Sequence, residues 1–70
     1  MSSLLGYIGI DQYNNHYHIK KHPRKELLDQ LGATHASKMY ADLKGGGSRE
    51  TGYVINGHWV DVYSIHQWKD

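Results

Sequence analysis

The sequence predicts an α+β domain with the element order β-β-α-α-β-β, a four-stranded, mainly antiparallel sheet with two helices packed on one face. Two observations lead to this prediction. Strand-like alternation around turn residues occurs near each end of the chain, and two stretches with helical spacing of apolar residues lie between them. A chain of 70 residues has room for one hydrophobic core, so residues 1–70 are expected to form a single domain.

The first hairpin is predicted from two alternating stretches, 4–10 and 16–19, separated by a turn-rich segment. If Asn14 and Asn15 form the turn, Ile10 pairs with Ile19, and this register decides which side chains face the helices. The side chains expected on the helix side are Ile8, Ile10, Tyr17 and Ile19, and those expected on the other side are Tyr7, Asp11, Tyr13, His16 and His18.

Two helices are predicted in the middle of the chain. Pro23 suits the first position of a helix, because the N–H that proline lacks has no partner there, and Gly32 is a natural C-terminal stop. Thr34 is placed to cap a second helix, which would end before the glycine-rich segment 45–48. The apolar stripes are Leu27, Leu28 and Leu31 in the first helix and Ala36, Met39, Tyr40 and Leu43 in the second.

The clearest local signal is a second hairpin around Asn56-Gly57. This dipeptide favours a two-residue type I′ turn, because both central residues need positive φ, and the turn pairs Ile55 with His58. The tail, 64–70, is expected to close a short final turn. Alternation puts Tyr53, Ile55, Val60 and Val62 on the helix side and Val54, Trp59, Asp61 and Tyr63 on the other side.

Composition limits the classes of function. Net charge is only +1, which is far from the basic excess of a dedicated nucleic-acid binder. Absence of cysteine excludes a disulfide scaffold and fits a reducing compartment, and no stretch is long enough to span a bilayer. We therefore expect a cytoplasmic protein with no membrane association.

The six histidines, six tyrosines and two tryptophans suggest a contact surface on the sheet face away from the helices. A basic segment, residues 20–25, adds the only concentrated positive charge, which could pair with phosphates or an acidic protein surface. The alternative is that the basic residues are simply solvated, and that the tail or an identical subunit covers the aromatic face. We expect a homodimer, which would hide this apolar area and add the stability that a small core lacks. The candidate partner-binding residues are Tyr7, His16, His18, Lys20, Lys21, Arg24, Lys25, Trp59, Asp61 and Tyr63.

An alternative reading is a winged-helix-like DNA-binding regulator. The segment 27–43 has the outline of a helix-turn-helix, and the following hairpin could act as a wing. Against this reading, the second predicted helix offers one cation, Lys38, with Asp42 nearby. The residues that would enter the major groove are Thr34, His35, Ser37 and Lys38.

No catalytic, cofactor or metal site is predicted. The segment 45–48 lacks the Gly-Lys-Ser/Thr ending of a phosphate-binding loop, and His58 and Asp61 point to opposite faces of their strand. The expected function is non-enzymatic, namely a stoichiometric inhibitor or modulator of a protein partner, of the kind that phages and mobile elements encode as accessory proteins. A homo-oligomeric structural subunit is a further alternative.

Overall fold

The structure is a computed structural model that describes residues 2–68. Its strands are β1 (Ser2–Asp11), β2 (His16–Ile19), β3 (Ser37–Asp42), β4 (Ser48–Ile55) and β5 (His58–Trp68), and its helix is α1 (Pro23–Leu31). All five strands form one antiparallel sheet in the order β2-β1-β5-β4-β3. The predicted fold of four strands and two helices is therefore wrong, because the described chain is mostly sheet with one short helix.

Helix α1 begins and ends where the sequence predicts. Pro23 occupies its first turn, and Gly32 ends it in the left-handed conformation with φ of 65°, its N–H donating to the carbonyl of Leu28. The fully buried Leu27 packs between the helix and the sheet. We call the sheet side under α1 the helix face. The buried apolar residues of this core are Ile19, Leu27, Ala36, Ile55 and Val60.

The register of the first hairpin differs from the prediction. Ile10 pairs with His16 rather than Ile19, and Tyr7 pairs with Ile19. A shift by an odd number of residues exchanges the two faces of a strand. Tyr7 therefore lies on the helix face, whereas Ile8 and Ile10 lie on the opposite side.

The cause of this register is the side chain of Asp11. One carboxylate oxygen accepts the backbone N–H groups of Tyr13 and Asn15 at 2.8 and 2.9 Å, and the other accepts the hydroxyl of Tyr17 at 2.8 Å. Asn14 is left-handed with φ of 68°. The turn therefore starts at Asp11 and is longer than the two-residue turn that the sequence suggested.

The second predicted helix does not form. Residues Ser37–Asp42 are strand β3, which pairs with β4. Glycines 45, 46 and 47 have φ of 92°, 106° and 84°, so they make the tight connection between β3 and β4 instead of ending a helix. We call β3 and β4 together the β3–β4 arm.

The second hairpin has the predicted register, with Ile55 opposite His58 and Val54 opposite Trp59. Tyr53 and Val62 pack against the core on the helix face, as expected. The predicted final turn is wrong over the described residues, because β5 continues to Trp68 and pairs with the start of β1. Residues 69 and 70, where that turn was to end, lie outside the described residues.

A candidate docking face on the open side of the sheet

The side of the sheet opposite α1, which we call the open face, carries a nearly continuous set of apolar and aromatic side chains. Cross-strand register defines its members, because paired residues on antiparallel strands point to the same side. No described segment packs on this side. The open-face residues are Ile8, Ile10, His16, His18, Ser37, Met39, Val54, Trp59, Asp61, Tyr63 and Ile65.

Large side chains on the open face are well exposed to solvent. Trp59 is 43% exposed and Tyr63 53%, and the aliphatic Val54 and Ile65 are 37% and 38% exposed. Aromatic residues of this kind combine a large apolar area with a polar group and few rotatable bonds, which is why they anchor many protein interfaces. The open face therefore has the composition of a contact surface.

Trp59 is held in place by the strand beside it. The side-chain oxygen Oε1 of Gln12 accepts the backbone N–H of Trp59 at 3.2 Å, and the backbone N–H of Gln12 donates to the carbonyl of Trp59 at 3.1 Å. These two bonds extend the β1–β5 ladder beyond Asp11. The indole of Trp59 is thus presented from a backbone that both neighbouring strands hold in place, which reduces the entropy lost on binding.

The turn that orients His16 and His18 is fixed by an ionised carboxylate. Burial raises the pKa of Asp11, but hydrogen bonds from Asn15, Tyr17 and Tyr13 outweigh it and lower the pKa to about 2. The same contact with Asp11 raises the pKa of Tyr17. Strand β2 is therefore held by a charge-assisted network at neutral pH.

Half of the predicted partner-binding residues lie together on the open face: His16, His18, Trp59, Asp61 and Tyr63. Tyr7 does not, because the shifted register places it on the helix face. The open face also contains Ile8 and Ile10, which the sequence analysis assigned to the core, and Ile65, which it assigned to a turn. Only the position of the Asp11 turn would have identified Ile8 and Ile10 from sequence, whereas Ile65 follows from continuing the alternation of β5 past Tyr63.

The basic segment is not part of the open face. Lys20 and Lys21 lie in the exposed loop from β2 to α1, while Arg24 and Lys25 lie in the first turn of α1, across the sheet from Trp59. The aromatic and the basic candidate residues therefore lie in separate parts of the surface.

Glu26 fixes the basic segment from within the helix. Its carboxylate accepts the backbone N–H groups of Lys20, Lys21 and His22 at 2.8, 2.9 and 2.7 Å. These bonds lower the pKa of Glu26 to about 2. The loop is thus anchored by three charge-assisted hydrogen bonds while its cationic side chains stay exposed.

The residues predicted to read DNA do not form a helix. Thr34 and His35 lie in the exposed connection before β3, and Ser37 and Lys38 point to opposite sides of that strand. Lys38 Nζ lies 3.1 Å from Glu50 Oε1, a contact that raises the pKa of the lysine. No recognition helix exists at 34–43, so the winged-helix arrangement is wrong.

Among residues 2–68, no three histidine or acidic side chains come close enough to hold a metal ion. The described part of the chain contains no helix with the length and apolar character needed to cross a bilayer. Comparisons with protein-family models, with curated proteins and with solved structures find no match.

Proposed function

We propose that this protein is a non-enzymatic binding domain that docks on a cytoplasmic protein through its open face and acts there as a stoichiometric inhibitor or modulator. The observation that supports the proposal is the set of solvent-facing apolar side chains around Trp59 and Tyr63, carried on a five-stranded sheet. A patch of this kind on a soluble protein usually marks an interaction site. The lack of cysteine is consistent with a reducing compartment.

Charge on the open face favours a protein partner over a nucleic acid. Asp61 lies near its centre, between Ile10 and Gly52, while Arg24 and Lys25 are on the other side of the sheet. Nucleic-acid affinity depends largely on several cations that contact phosphates along one surface. The open face instead offers aromatic and aliphatic groups around one carboxylate.

The face is also large enough for a specific interface. The two longer dimensions of the molecule are 41 and 32 Å. A standard protein–protein interface takes about 800 Å² from each partner. A partner seated on the open face can therefore bury this area without contacting α1.

The test uses Trp59→Ala with Tyr40→Ala as its matched control, because Tyr40 is 58% exposed but lies on the helix-face side of β3. We expect Trp59→Ala to weaken binding to the partner by about 30-fold, the effect of removing a central aromatic anchor worth about 2 kcal/mol. Tyr40→Ala should leave the affinity unchanged. Partners are captured from host lysate with the native chain, and affinities are then measured with the purified partner.

A circular dichroism spectrum and an unfolding curve show that each variant is folded. Equal capture by both variants would contradict the proposal, as would binding that depends on Tyr40 and not on Trp59. A mass that doubles with concentration, and returns to that of a monomer in Trp59→Ala, would show that the open face is the interface of a homodimer.

A further inference from the structure

Strand β3 is an edge of the sheet, because it lies last in the strand order. Its inner edge pairs with β4 over the whole strand, from Ser37 opposite Val54 to Asp42 opposite Ser48. Among residues 2–68, no strand pairs with its outer edge. An unpaired edge of this kind is a template for pairing with another chain unless something blocks it.

The hydrogen bonds of the β3–β4 arm show which residues of β3 form this outer edge. The backbone N–H of Leu43 donates to the carbonyl of Gly47 at 3.1 Å, so Leu43 faces β4. The bulge in this hairpin has its extra residue, Thr51, in β4, so the alternation along β3 is not interrupted. Because successive strand residues direct their N–H and C=O groups to opposite edges, Ala41 and Met39 also face β4. The outer N–H and C=O groups therefore belong to Lys38, Tyr40 and Asp42.

The opposite edge of the sheet is less suited to pairing. Strand β2 has four residues, and the side chain of Gln30 in α1 donates from Nε2 to the carbonyl of His18 at 2.9 Å. This carbonyl lies on the outer edge, because Asn15 accepts the N–H of Asp11 and alternation turns His18 the other way. Helix α1 thus already occupies part of this edge, which leaves β3 as the edge strand that is free along its full length.

The outer edge of β3 is complementary to itself. In an antiparallel pair of two β3 strands related by a two-fold axis at Tyr40, Lys38 of each copy lies opposite Asp42 of the other. Tyr40 lies opposite its own copy, on the same side of the sheet. On the other side, Met39 lies opposite Ala41, which sets a large side chain against a small one. Opposite charges and aromatic pairs placed in this way stabilise antiparallel strands.

Charge selects this register. Asp42 forms no ion pair within residues 2–68, so its carboxylate is available to a second chain. A two-fold axis one residue after Tyr40 would place Lys38 opposite Lys44 of the other copy, and like charges directly opposite each other are destabilising. An axis one residue before Tyr40 would leave Asp42 with no cation opposite it.

The ion pair between Lys38 and Glu50 holds the lysine on the side where this contact is made. Nζ of Lys38 is 3.1 Å from Oε1 of Glu50, and the two side chains are 53% and 54% exposed. Both lie on the helix-face side of the β3–β4 arm, which by alternation is also the side of Asp42. A lysine ammonium has three donors, so it can bind Glu50 and a carboxylate of a second copy together.

We propose that the chain forms a two-fold symmetric dimer through the outer edge of β3, which joins two sheets into one. Each opposed pair, Lys38 with Asp42 and Tyr40 with Tyr40, exchanges backbone hydrogen bonds in both directions. The occupant of this edge is a second copy of the chain, because the order of lysine, tyrosine and aspartate along it supplies its own complement. This inference goes beyond the proposed function and does not depend on it.

The dimer places both open faces on the same side of the joined sheet, because residues opposed across antiparallel strands point to the same side. A partner with two suitable sites gains affinity by engaging both faces at once. A single strand pair buries less than the about 800 Å² per partner of a standard interface, so we expect weak association, with a Kd of about 100 μM. The chain is then a monomer in dilute solution.

The test measures mass by analytical ultracentrifugation from about 10 μM to about 1 mM, a range that brackets the expected Kd. The native chain should pass from monomer to dimer. Asp42→Lys places two cations opposite each other at both ends of the strand pair and should weaken association at least about 10-fold. Lys38→Asp, which opposes two carboxylates, should have the same effect.

Mixing these two variants gives the sharpest result. In a pair made of one Asp42→Lys chain and one Lys38→Asp chain, each introduced side chain meets one of opposite charge. Association should therefore return to within about 3-fold of the native Kd. The matched controls are Asp29→Lys and Lys25→Asp, which make the same charge changes at exposed positions of α1 and should dimerise normally.

Amide hydrogen exchange locates the interface and needs no variant. In dilute solution the amides of Lys38 and Tyr40 should exchange fast and that of Met39, which bonds to β4, slowly. At about 1 mM, where a Kd of about 100 μM leaves about one chain in five monomeric, the first two amides should slow by about 5-fold. This measurement and Asp42→Lys keep the proposal testable if Lys38→Asp, which faces Glu50, fails to fold.

Four results would overturn the proposal: a native chain that stays monomeric at about 1 mM, a dimer that Asp42→Lys leaves intact, exchange at Tyr40 that does not change with concentration, and a folded variant pair that does not associate on mixing. Loss of the dimer in Trp59→Ala would also overturn it, because the open face would then be the interface. A dimer that survives Trp59→Ala and fails in Asp42→Lys would support the β3 edge whatever the outcome of the partner-binding experiment.

Discussion

Replacing Gly52 with alanine should destabilise the sheet far more than the same change at Gly9. The added Cβ at position 52 would overlap backbone atoms of Val60, which cannot rotate away, so β4 and β5 would have to separate. The Cβ at Gly9 would instead meet two side-chain methyl groups, of Val60 at 3.1 Å and Leu27 at 3.2 Å, which can shift by a few tenths of an ångström.

The magnitude follows from the short β4–β5 ladder. Its two hydrogen-bonded pairs, Tyr53–Val60 and Ile55–His58, supply four backbone bonds, each worth about 1 kcal/mol net, so losing most of them costs about 3 kcal/mol. In Gly9→Ala, the tighter packing should destabilise the fold by about 1–3 kcal/mol. Alanine also lowers the conformational entropy of the unfolded chain, which offsets part of this cost and leaves a net loss of about 1 kcal/mol.

The assay is urea and thermal unfolding followed by circular dichroism. Because about 1 kcal/mol shifts the Tm of a domain this size by 4–8 °C, Gly52→Ala should lower the Tm by more than about 10 °C and Gly9→Ala by about 5 °C. Equal stability of Gly52→Ala and Gly9→Ala would refute the close approach of β4 to β5 at Gly52.

Leu27→Ala should lower the free energy of unfolding by about 2–5 kcal/mol, because Leu27 is fully buried, and this is close to the whole stability of a domain this small. Urea unfolding measures the loss. A loss below about 1 kcal/mol would contradict the placement of Leu27 in the core. Acid should also destabilise the fold. Asp11 and Glu26 have folded pKa values of about 2, below their ordinary values near 4, so their stabilisation is complete above about pH 5 and is lost as the pH falls toward 2. Unfolding midpoints at several pH values measure it, and Glu26→Gln should reduce the dependence; an unchanged pH profile would contradict the role of this carboxylate. Lys38→Ala should leave the unfolding midpoint unchanged, because its ion pair with Glu50 is half exposed, and a clear decrease would show that the pair matters more than its exposure indicates.

Two elements could be predicted from sequence because short-range chemistry determines them. Asn56 and Gly57 both have positive φ, 53° and 77°, as the predicted turn requires, and that turn alone sets the register of β4 and β5. Pro23 and Gly32 mark the ends of α1 in the same local way. Trp59 and Tyr63 could be assigned to the open face for this reason.

The errors arose where a distant contact decides between local alternatives. The apolar residues at Ala36, Met39 and Tyr40 fit helical spacing, but pairing with β4 makes this segment a strand. Short apolar stretches are ambiguous in this way, and tertiary context overrides local propensity.

The register of the first hairpin depended on one side chain. Asp11 forms its turn by accepting four hydrogen bonds, from Tyr13, Asn15 and Tyr17, and alternation alone does not reveal this. The resulting shift moved Tyr7 to the helix face and Ile8 to the open face. The aromatic face was therefore predicted with part of its composition wrong.

Whether the open face is free in the isolated chain is the central question, and solvent paramagnetic relaxation measured by NMR answers it most directly. A soluble paramagnetic probe should strongly relax the side chains of Trp59, Tyr63 and Ile65 and barely affect Leu27 and Val60, with no change on dilution. If Trp59 and Tyr63 were as protected as Leu27 at every concentration, the sheet would have no open face and the proposed docking surface would not exist.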